Sequence, residues 1–277
     1  MTDAPILHPA SEMTLAVMVK DLPQSLLIEG PVGVGLGTIA RYIAGLVSHE
    51  VLTVLPEKDE KVDIEKGVIG VDSIRKLYGQ SRSLRTHKMV IIIDYAERMG
   101  HQAQNAFLKL LEEPQASVHF ILATHTPEKL LPTITSRVQA VHIQPVTVKQ
   151  TETLMDMLSV DDPKKRSQIL FMACGLPAEV VRLTADDAYF TTRSDIMRDA
   201  RELLQGTTYE KLRVAHRYKD NREDALRLLG DAAKILQRSI SAKPQESLIR
   251  QIDGLLYATA QIAANGNIRL CLARLVV

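Results

Sequence analysis

A glycine-rich segment, residues 30–38, separates a short apolar run from a stretch of helical spacing. The apolar run, residues 26–29, ends directly at the first glycine, which is typical of a buried strand that leads into a tight turn. Because strands and helices alternate from there on, the first half of the chain is predicted to be α/β, a parallel sheet with helices on both faces. The further predicted strands lie at 51–55, 90–93 and 118–123, and the predicted helices lie at 38–48 and 102–112.

The spacing of the glycines matches a phosphate-binding loop in part. Such a loop reads G-x-x-x-x-G-K-[ST], and glycines there let backbone N–H groups surround a phosphate at a helix N-terminus. A plain strand-to-helix turn is the other interpretation of this segment taken alone. The candidate nucleotide-binding residues of the loop are Gly30, Gly33, Gly35, Gly37 and Thr38.

The loop lacks the two side chains that handle ATP. Leu36 stands where the lysine belongs, Gly37 where the magnesium-binding hydroxyl belongs, and Thr38 comes one position late. A lysine would make a charge-assisted contact with phosphate worth about 1.5–3 kcal/mol, and leucine makes none. Hydrolysis depends even more on that charge. The sequence therefore predicts a degenerate loop, a relic of an ATP site.

The run at 90–93 is followed by Asp94, an acid at the carboxyl end of a buried strand, as in a Walker B strand that holds Mg²⁺. An active site of this kind continues with a glutamate that polarises water, but here Tyr95 follows. With a pKa near 10, a tyrosine cannot act as that base at neutral pH. Glu97 is predicted to lie in a helix. The other interpretation of Asp94 is a capping or sheet-end carboxylate.

The pattern changes after residue 145. A linker is predicted at 145–150, then short helices to about 190, then longer helices with turns near Gly206 and at Lys243 and Pro244. In the first half, Asp72 is predicted to cap a helix whose apolar side includes Leu84. We therefore expect an α/β domain at 1–145, a helical lid at 146–192 and a helical collar for oligomerisation at 193–277.

Composition limits the partners of this chain. The 277 residues are 45% hydrophobic and 24% charged, with a net charge of +1 and two cysteines. A protein that grips DNA by its phosphates alone usually has a basic excess, so DNA contact is expected to be local or made through partners. Two cysteines without a CxxC pattern predict no zinc site. No signal-like start and no long apolar run is present, which predicts a cytoplasmic protein without membrane contact.

Three stretches resemble one family. IGVDSIRKL (69–77), VIIIDYAERMGHQAQNAFLKLLEEP (90–114) and FILATHTPEKLLPTITSR (120–137) are similar to the clamp-loader subunits of bacterial DNA polymerase III. With the glycine-rich loop they cover roughly residues 25–145, in the order and spacing of that family. The resemblance implies a RecA-like AAA+ domain, a small helical lid and a helical collar. For residues 146–277 the assignment rests on continuity.

The resemblance also implies roles for single residues. Thr124, at the end of the FILAT strand, takes the sensor 1 position, although a strand-end hydroxyl bonded to the backbone is an equal alternative. In the lid, Ala178 stands where the family has a sensor 2 arginine, and Arg182 is expected to be a surface residue. Ser136-Arg137-Val138 matches the motif that supplies an arginine finger to a neighbouring subunit, with valine in place of cysteine. A surface arginine without this role is the alternative for Arg137.

The losses follow a pattern. Residues that would serve the chain's own ATP are replaced, whereas Arg137, which would serve a neighbour's ATP, is retained. Among clamp-loader subunits this implies the delta-prime type, a stator without intrinsic ATPase and without a bound cofactor. The implied partners are gamma/tau motor subunits, the delta subunit, the sliding clamp indirectly, and primer-template DNA through the complex.

Three alternatives remain open. An active gamma/tau-like clamp-loader ATPase would need another cation in place of the missing lysine. An unrelated P-loop enzyme such as a kinase would lack its loop lysine altogether. A bare DNA-binding module would show salt-dependent DNA binding, which the near-neutral charge disfavours. Nucleotide binding by the isolated chain separates the first alternative from the delta-prime type.

Overall fold

A computed structural model describes residues 4–81, 87–242 and 245–276. The chain divides into two units. The first comprises Met1–Arg166 and Ala173–Val181 and contains the sheet, and the second comprises Ser167–Met172 and Arg182–Val277 and is helical where it is described. The predicted boundary between lid and collar at residue 192 stays a prediction.

The first unit contains a five-stranded parallel sheet in the order β2-β5-β6-β1-β7. The predicted α/β class with a parallel sheet is thereby confirmed. The elements in chain order are α1 (Pro9–Lys20), β1 (Ser25–Glu29), α2 (Leu36–Val47), β2 (Glu50–Val54), β3 (Glu57–Lys58), β4 (Lys61–Val62), α3 (Val71–Ser81), β5 (Met89–Ile93), α4 (His101–Glu112), β6 (Val118–Thr124), α5 (Pro132–Thr135), β7 (Gln139–His142) and α6 (Val148–Met157).

Both faces of the sheet are covered by helices, because the central strands are apolar at consecutive positions. Leu26 and Ile28 of β1 pack into a core with α1 and α2, whereas Leu27 packs into a second core with α3 and α4. In that second core the rings of Phe107 and Phe120 meet edge to face, with centroids 5.3 Å apart. The alternation follows from the two-residue period of a strand.

The helix after the glycine-rich loop begins earlier than expected. α2 starts at Leu36 instead of residue 38, because Gly35 adopts a left-handed conformation (φ 93°) at the N-cap and ends the loop there. Asp72 was expected to cap α3, but it is the second residue of that helix and pairs with Arg75 at 3.3 Å. Leu84, expected on the apolar side of that helix, lies outside the described residues.

The segment after β2 includes the exposed antiparallel pair β3 and β4. The predicted linker at 145–150 is shorter than expected, because α6 begins at Val148. Thr147 and Gln150 form a reciprocal capping box there, which satisfies backbone N–H groups at the start of the helix.

The remaining helices are α7 (Pro163–Ala173), α8 (Pro177–Ala185), α9 (Asp187–Gln205), α10 (Thr208–Arg217), α11 (Arg222–Ala242), α12 (Glu246–Ala263) and α13 (Ile268–Ala273). The helices α9 to α13 enclose one core, in which Leu229 and Leu236 of α11 are buried. The predicted turn near Gly206 separates α9 from α10, whereas Lys243 and Pro244 lie outside the described residues. Within the described ranges, no helix has the length and apolarity to cross a bilayer.

Candidate nucleotide site and surface arginine

The glycine-rich loop lies at the carboxyl edge of the sheet, between the end of β1 and the start of α2. Gly33 and Gly35 both have positive φ, 91° and 93°, a region that other residues rarely adopt. A side chain on Gly30 would also be excluded, because its Cβ would lie 2.7 Å from the carbonyl oxygen of Ile143. The conformation of this segment therefore requires glycine at three of the positions predicted from the sequence, and their role in phosphate binding stays a prediction.

The side chain at the lysine position is buried in the core of the first unit. Leu36 is 2% exposed and belongs to the core that includes Ile28 and Ile92. A working loop needs a cation at this position that reaches the phosphates. In this chain the same position contributes apolar packing to the core.

Asp94 occupies the space that the magnesium-binding hydroxyl would need. A Cβ built on Gly37 would lie only 2.3 Å from Asp94 Oδ2, so a serine or threonine at position 37 would displace the carboxylate. The other oxygen, Oδ1, accepts a hydrogen bond from the backbone N–H of Tyr95 at 3.1 Å. Asp94 thus has the contacts of a sheet-end carboxylate packed against the first turn of α2.

Burial raises the pKa of Asp94 above its ordinary value, and the Tyr95 N–H and the charge of Arg41 oppose that effect in part. The guanidinium of Arg41 is half exposed, with Nη1 4.0 Å from Asp94 Oδ2 and Nη2 donating to Thr38 Oγ1 at 3.4 Å. The predicted site therefore has a cation that sequence reasoning missed. Its position one helical turn after Thr38 is the signal that was available.

The residue at the catalytic-base position cannot serve as a base. Tyr95 has a left-handed backbone (φ 56°), and burial together with the charges of Asp94 and Glu97 raises the pKa of its hydroxyl. Glu97 lies in a 3-10 turn, and its Oε1 accepts from the backbone N–H of His125 at 3.4 Å. His125, also missed in the sequence, has Nδ1 2.9 Å from the carbonyl oxygen of Gly30.

Thr124 is fully buried at the end of β6. Its hydroxyl oxygen accepts a hydrogen bond from the backbone N–H of Thr126 at 3.2 Å, as in the alternative interpretation of this residue. Its carbonyl oxygen accepts from the N–H of Gly30 at 3.4 Å, which ties β6 to the glycine-rich loop. A sensor role for Thr124 stays a prediction.

The segment with the missing sensor 2 arginine does lie beside the loop. The backbone N–H of Ala178 donates to the carbonyl oxygen of Gly33 at 3.0 Å, and the side chain of Leu176 packs against Gly33. Position 178 therefore lies next to the loop and carries a methyl group. Arg182 is exposed, as expected, and its guanidinium stacks 3.9 Å above the ring of Tyr189.

Arg137 lies on the connection between α5 and β7, with 40% of its side chain exposed. Its Nη1 donates to the carbonyl oxygen of Thr133 at 3.0 Å, and its Nη2 lies 3.1 Å from Oε1 of Glu112. The next residue, Val138, packs partly buried against the core that α3 and α4 cover. The guanidinium is thus held at the surface, and the hydrophobic residue after it anchors the chain.

Asp94→Asn is expected to stabilise the protein near neutral pH, because folding raises the pKa of this carboxyl. The amide removes a buried charge, and its oxygen can still accept from the Tyr95 N–H. A carboxyl whose pKa is raised by folding destabilises the folded state when it is ionised, so the gain should shrink as the pH falls through that raised pKa. Urea denaturation followed by circular dichroism at two pH values measures this. Asp72→Asn, at an exposed site, is the control, and a destabilised Asp94→Asn variant would contradict the role of burial.

The parallel sheet, the glycine-rich loop at the end of β1 and the acid at the end of β5 define an ATPase-type fold of the RecA-like AAA+ class, followed by helices. A solved DNA polymerase III gamma subunit-related protein from Thermotoga maritima has the same fold. The two structures superpose with a TM-score of 0.54 and are 20% identical in sequence. The superposition covers 96% of this chain and 97% of the Thermotoga maritima protein.

Residues 10–147 match the family described as DNA polymerase III, delta subunit. A delta-prime subunit of Bacillus subtilis is 32% identical over 115 residues, 42% of this chain and 34% of that protein. The tau subunit of Escherichia coli is 28% identical over 289 residues, 94% of this chain and 44% of tau. The chain therefore spans less than half the length of these relatives. It belongs to the clamp-loader subunits of bacterial DNA polymerase III.

Proposed function

We propose that this chain is a delta-prime-type subunit, which does not hydrolyse ATP itself and which presents Arg137 to the ATP of a neighbouring motor subunit. In this role it acts as a stator in a hetero-oligomer with gamma/tau-type subunits and a delta subunit. The complex would open a sliding clamp and place it on primer-template DNA in the cytoplasm.

The observation that carries the proposal is the position of Leu36. Its side chain lies in the apolar core, where it offers no charge to a phosphate. The space beside Gly37 is filled by the Asp94 carboxylate, and Tyr95 stands in place of the catalytic acid. These replacements at positions 36, 37 and 95 support the proposal that the chain does not hydrolyse ATP itself.

Arg137 supports the second half of the proposal. Its guanidinium is partly exposed and bonded to groups at the surface, so an oxyanion of a neighbour could reach it. An arginine supplied in trans stabilises the charge on the transferring phosphoryl group, which in other systems raises the rate by about 10³–10⁵.

Arg137→Ala is expected to lower single-turnover hydrolysis at the adjoining motor site by about 10²-fold or more, with the KM for ATP little changed. The complex should still assemble, because the contacts of this side chain with described residues, Glu112 and Thr133, lie at the surface. The measurement uses a complex reconstituted from motor subunits, a delta subunit and this chain, with assembly checked by size-exclusion chromatography. Arg75→Ala, which removes a comparable surface ion pair with Asp72, is the matched control. Full turnover with Arg137→Ala would rule out the finger role.

A gamma/tau-like ATPase is the second candidate. It is favoured by the similarity to Escherichia coli tau over 94% of the chain and by Arg41, a cation close to Asp94. Titration of the isolated chain with a fluorescent ATP analogue and magnesium separates the two candidates. The delta-prime type predicts no magnesium-dependent turnover, whereas the ATPase predicts tight binding and turnover.

A further inference from the structure

The guanidinium of Arg137 is held from two sides. Glu112, the last residue of α4, places Oε1 3.1 Å from Nη2, and the carbonyl oxygen of Thr133 in α5 accepts from Nη1 at 3.0 Å. A guanidinium has five N–H donors in a rigid plane, and these contacts need only one on each terminal nitrogen. The plane is therefore oriented while donors remain for a further oxyanion.

The placement of Glu112 is not explained by helix stability. A carboxylate in the last turn of a helix faces the negative end of the helix dipole, which is unfavourable. Glu112 is 51% exposed, and a single exposed ion pair contributes little to the stability of a fold. The ion pair instead restricts the long side chain of Arg137, which otherwise has many rotamers.

We propose that Glu112 is a positioning residue for Arg137. It holds the guanidinium ready at the surface, so that less ordering is needed when a phosphate of the neighbouring subunit arrives. The proposal rests on the finger role of Arg137. The carboxylate also attracts the guanidinium and so competes with the phosphate. We expect orientation to dominate, because the polyphosphate carries more charge and the guanidinium keeps further donors for it.

Glu112→Gln in the reconstituted complex is expected to lower kcat at the adjoining motor site by roughly 3- to 10-fold, short of the 10²-fold that a full misplacement can cost. The KM for ATP should not change, since Glu112 does not touch nucleotide. On an Arg137→Ala background the same substitution should have no further effect, because it acts only through the arginine.

Glu113→Gln is the matched control. Glu113 is the next residue, is exposed, and forms no ion pair among the described residues, so its substitution should leave kcat at the value of the unmodified complex. If Arg137→Ala lowers kcat but Glu112→Gln leaves it unchanged or raises it, the positioning role is overturned and the finger role stands. If Arg137→Ala has no effect, the proposed function itself fails.

Discussion

Leu36→Lys, which restores the lysine of a working phosphate loop, is expected to lower the free energy of unfolding by about 2–4 kcal/mol. It is also expected to give no tight ATP binding. Leu36 is 2% exposed, so the substitution loses apolar burial and places an ammonium group against the core. The flexible lysine stem can carry part of that charge toward water, which limits the loss.

Adding the hydroxyl should not rescue binding. In a Leu36→Lys/Gly37→Ser variant the new Cβ would lie 2.3 Å from Asp94 Oδ2, so the buried carboxylate must move before magnesium could bind. Urea denaturation followed by circular dichroism, and titration with a fluorescent ATP analogue, measure the two effects. Leu36→Met, which conserves volume, should cost less than about 1.5 kcal/mol and is the control. Tight magnesium-dependent ATP binding by the double variant would contradict the interpretation of a filled site.

Arg193→Met is expected to destabilise the helical unit by about 3–5 kcal/mol. Arg193 of α9 and Asp231 of α11 form a two-point ion pair, at 2.7 and 3.2 Å, with side chains only 5% and 2% exposed. Without the arginine, the cation that remains beside the buried Asp231 among the described residues is the partly exposed Lys234, whose Nζ lies 3.5 Å away. A buried charge that loses its partner accounts for most of the expected effect.

Two further variants distinguish the effect of leaving Asp231 without its partner from the effect of losing the ion pair itself. Arg193→Met/Asp231→Leu should recover much of the stability, because no buried charge is then left alone. Arg250→Met removes an exposed pair with Glu246, at 3.7 Å, and should change stability by less than about 1 kcal/mol. Denaturation together with hydrogen exchange in α9 and α11 locates the effect. A double variant as unstable as Arg193→Met would show that the pair does more than neutralise charge.

The elements that the sequence predicted well are those with strong local signals. The strand at 90–93 has consecutive β-branched residues, and it is fully buried as β5, between β2 and β6. The α4 helix was predicted within one residue of its bounds. The cap predicted at Asp72 was wrong, because local preference locates the ends of helices poorly. The strands β3 and β4 have two residues each, too few to give a period-two pattern in the sequence.

Some features of the candidate site could likewise be predicted from the sequence, and others could not. The missing lysine at position 36 and the retained Arg137 could be read directly, since they are identities at motif positions. The contacts of Arg41 with Asp94 and of His125 with Gly30 could not, because they join residues far apart in sequence. The spacing of the glycines predicted where the loop lies in the chain, but not which side chains surround it.

The order of amino acids alone predicted four of the five strands of the sheet, its parallel class, the glycine-rich turn after the first strand and the loss of the loop cation, but not β7. These depend on local propensity and on which side chains are present. The packing of distant elements decided that Leu36 enters the core, that the Asp94 carboxylate fills the space beside Gly37, and that Glu112 meets Arg137. Such contacts depend on how the helices pack against the sheet. They therefore form only when the whole unit has folded.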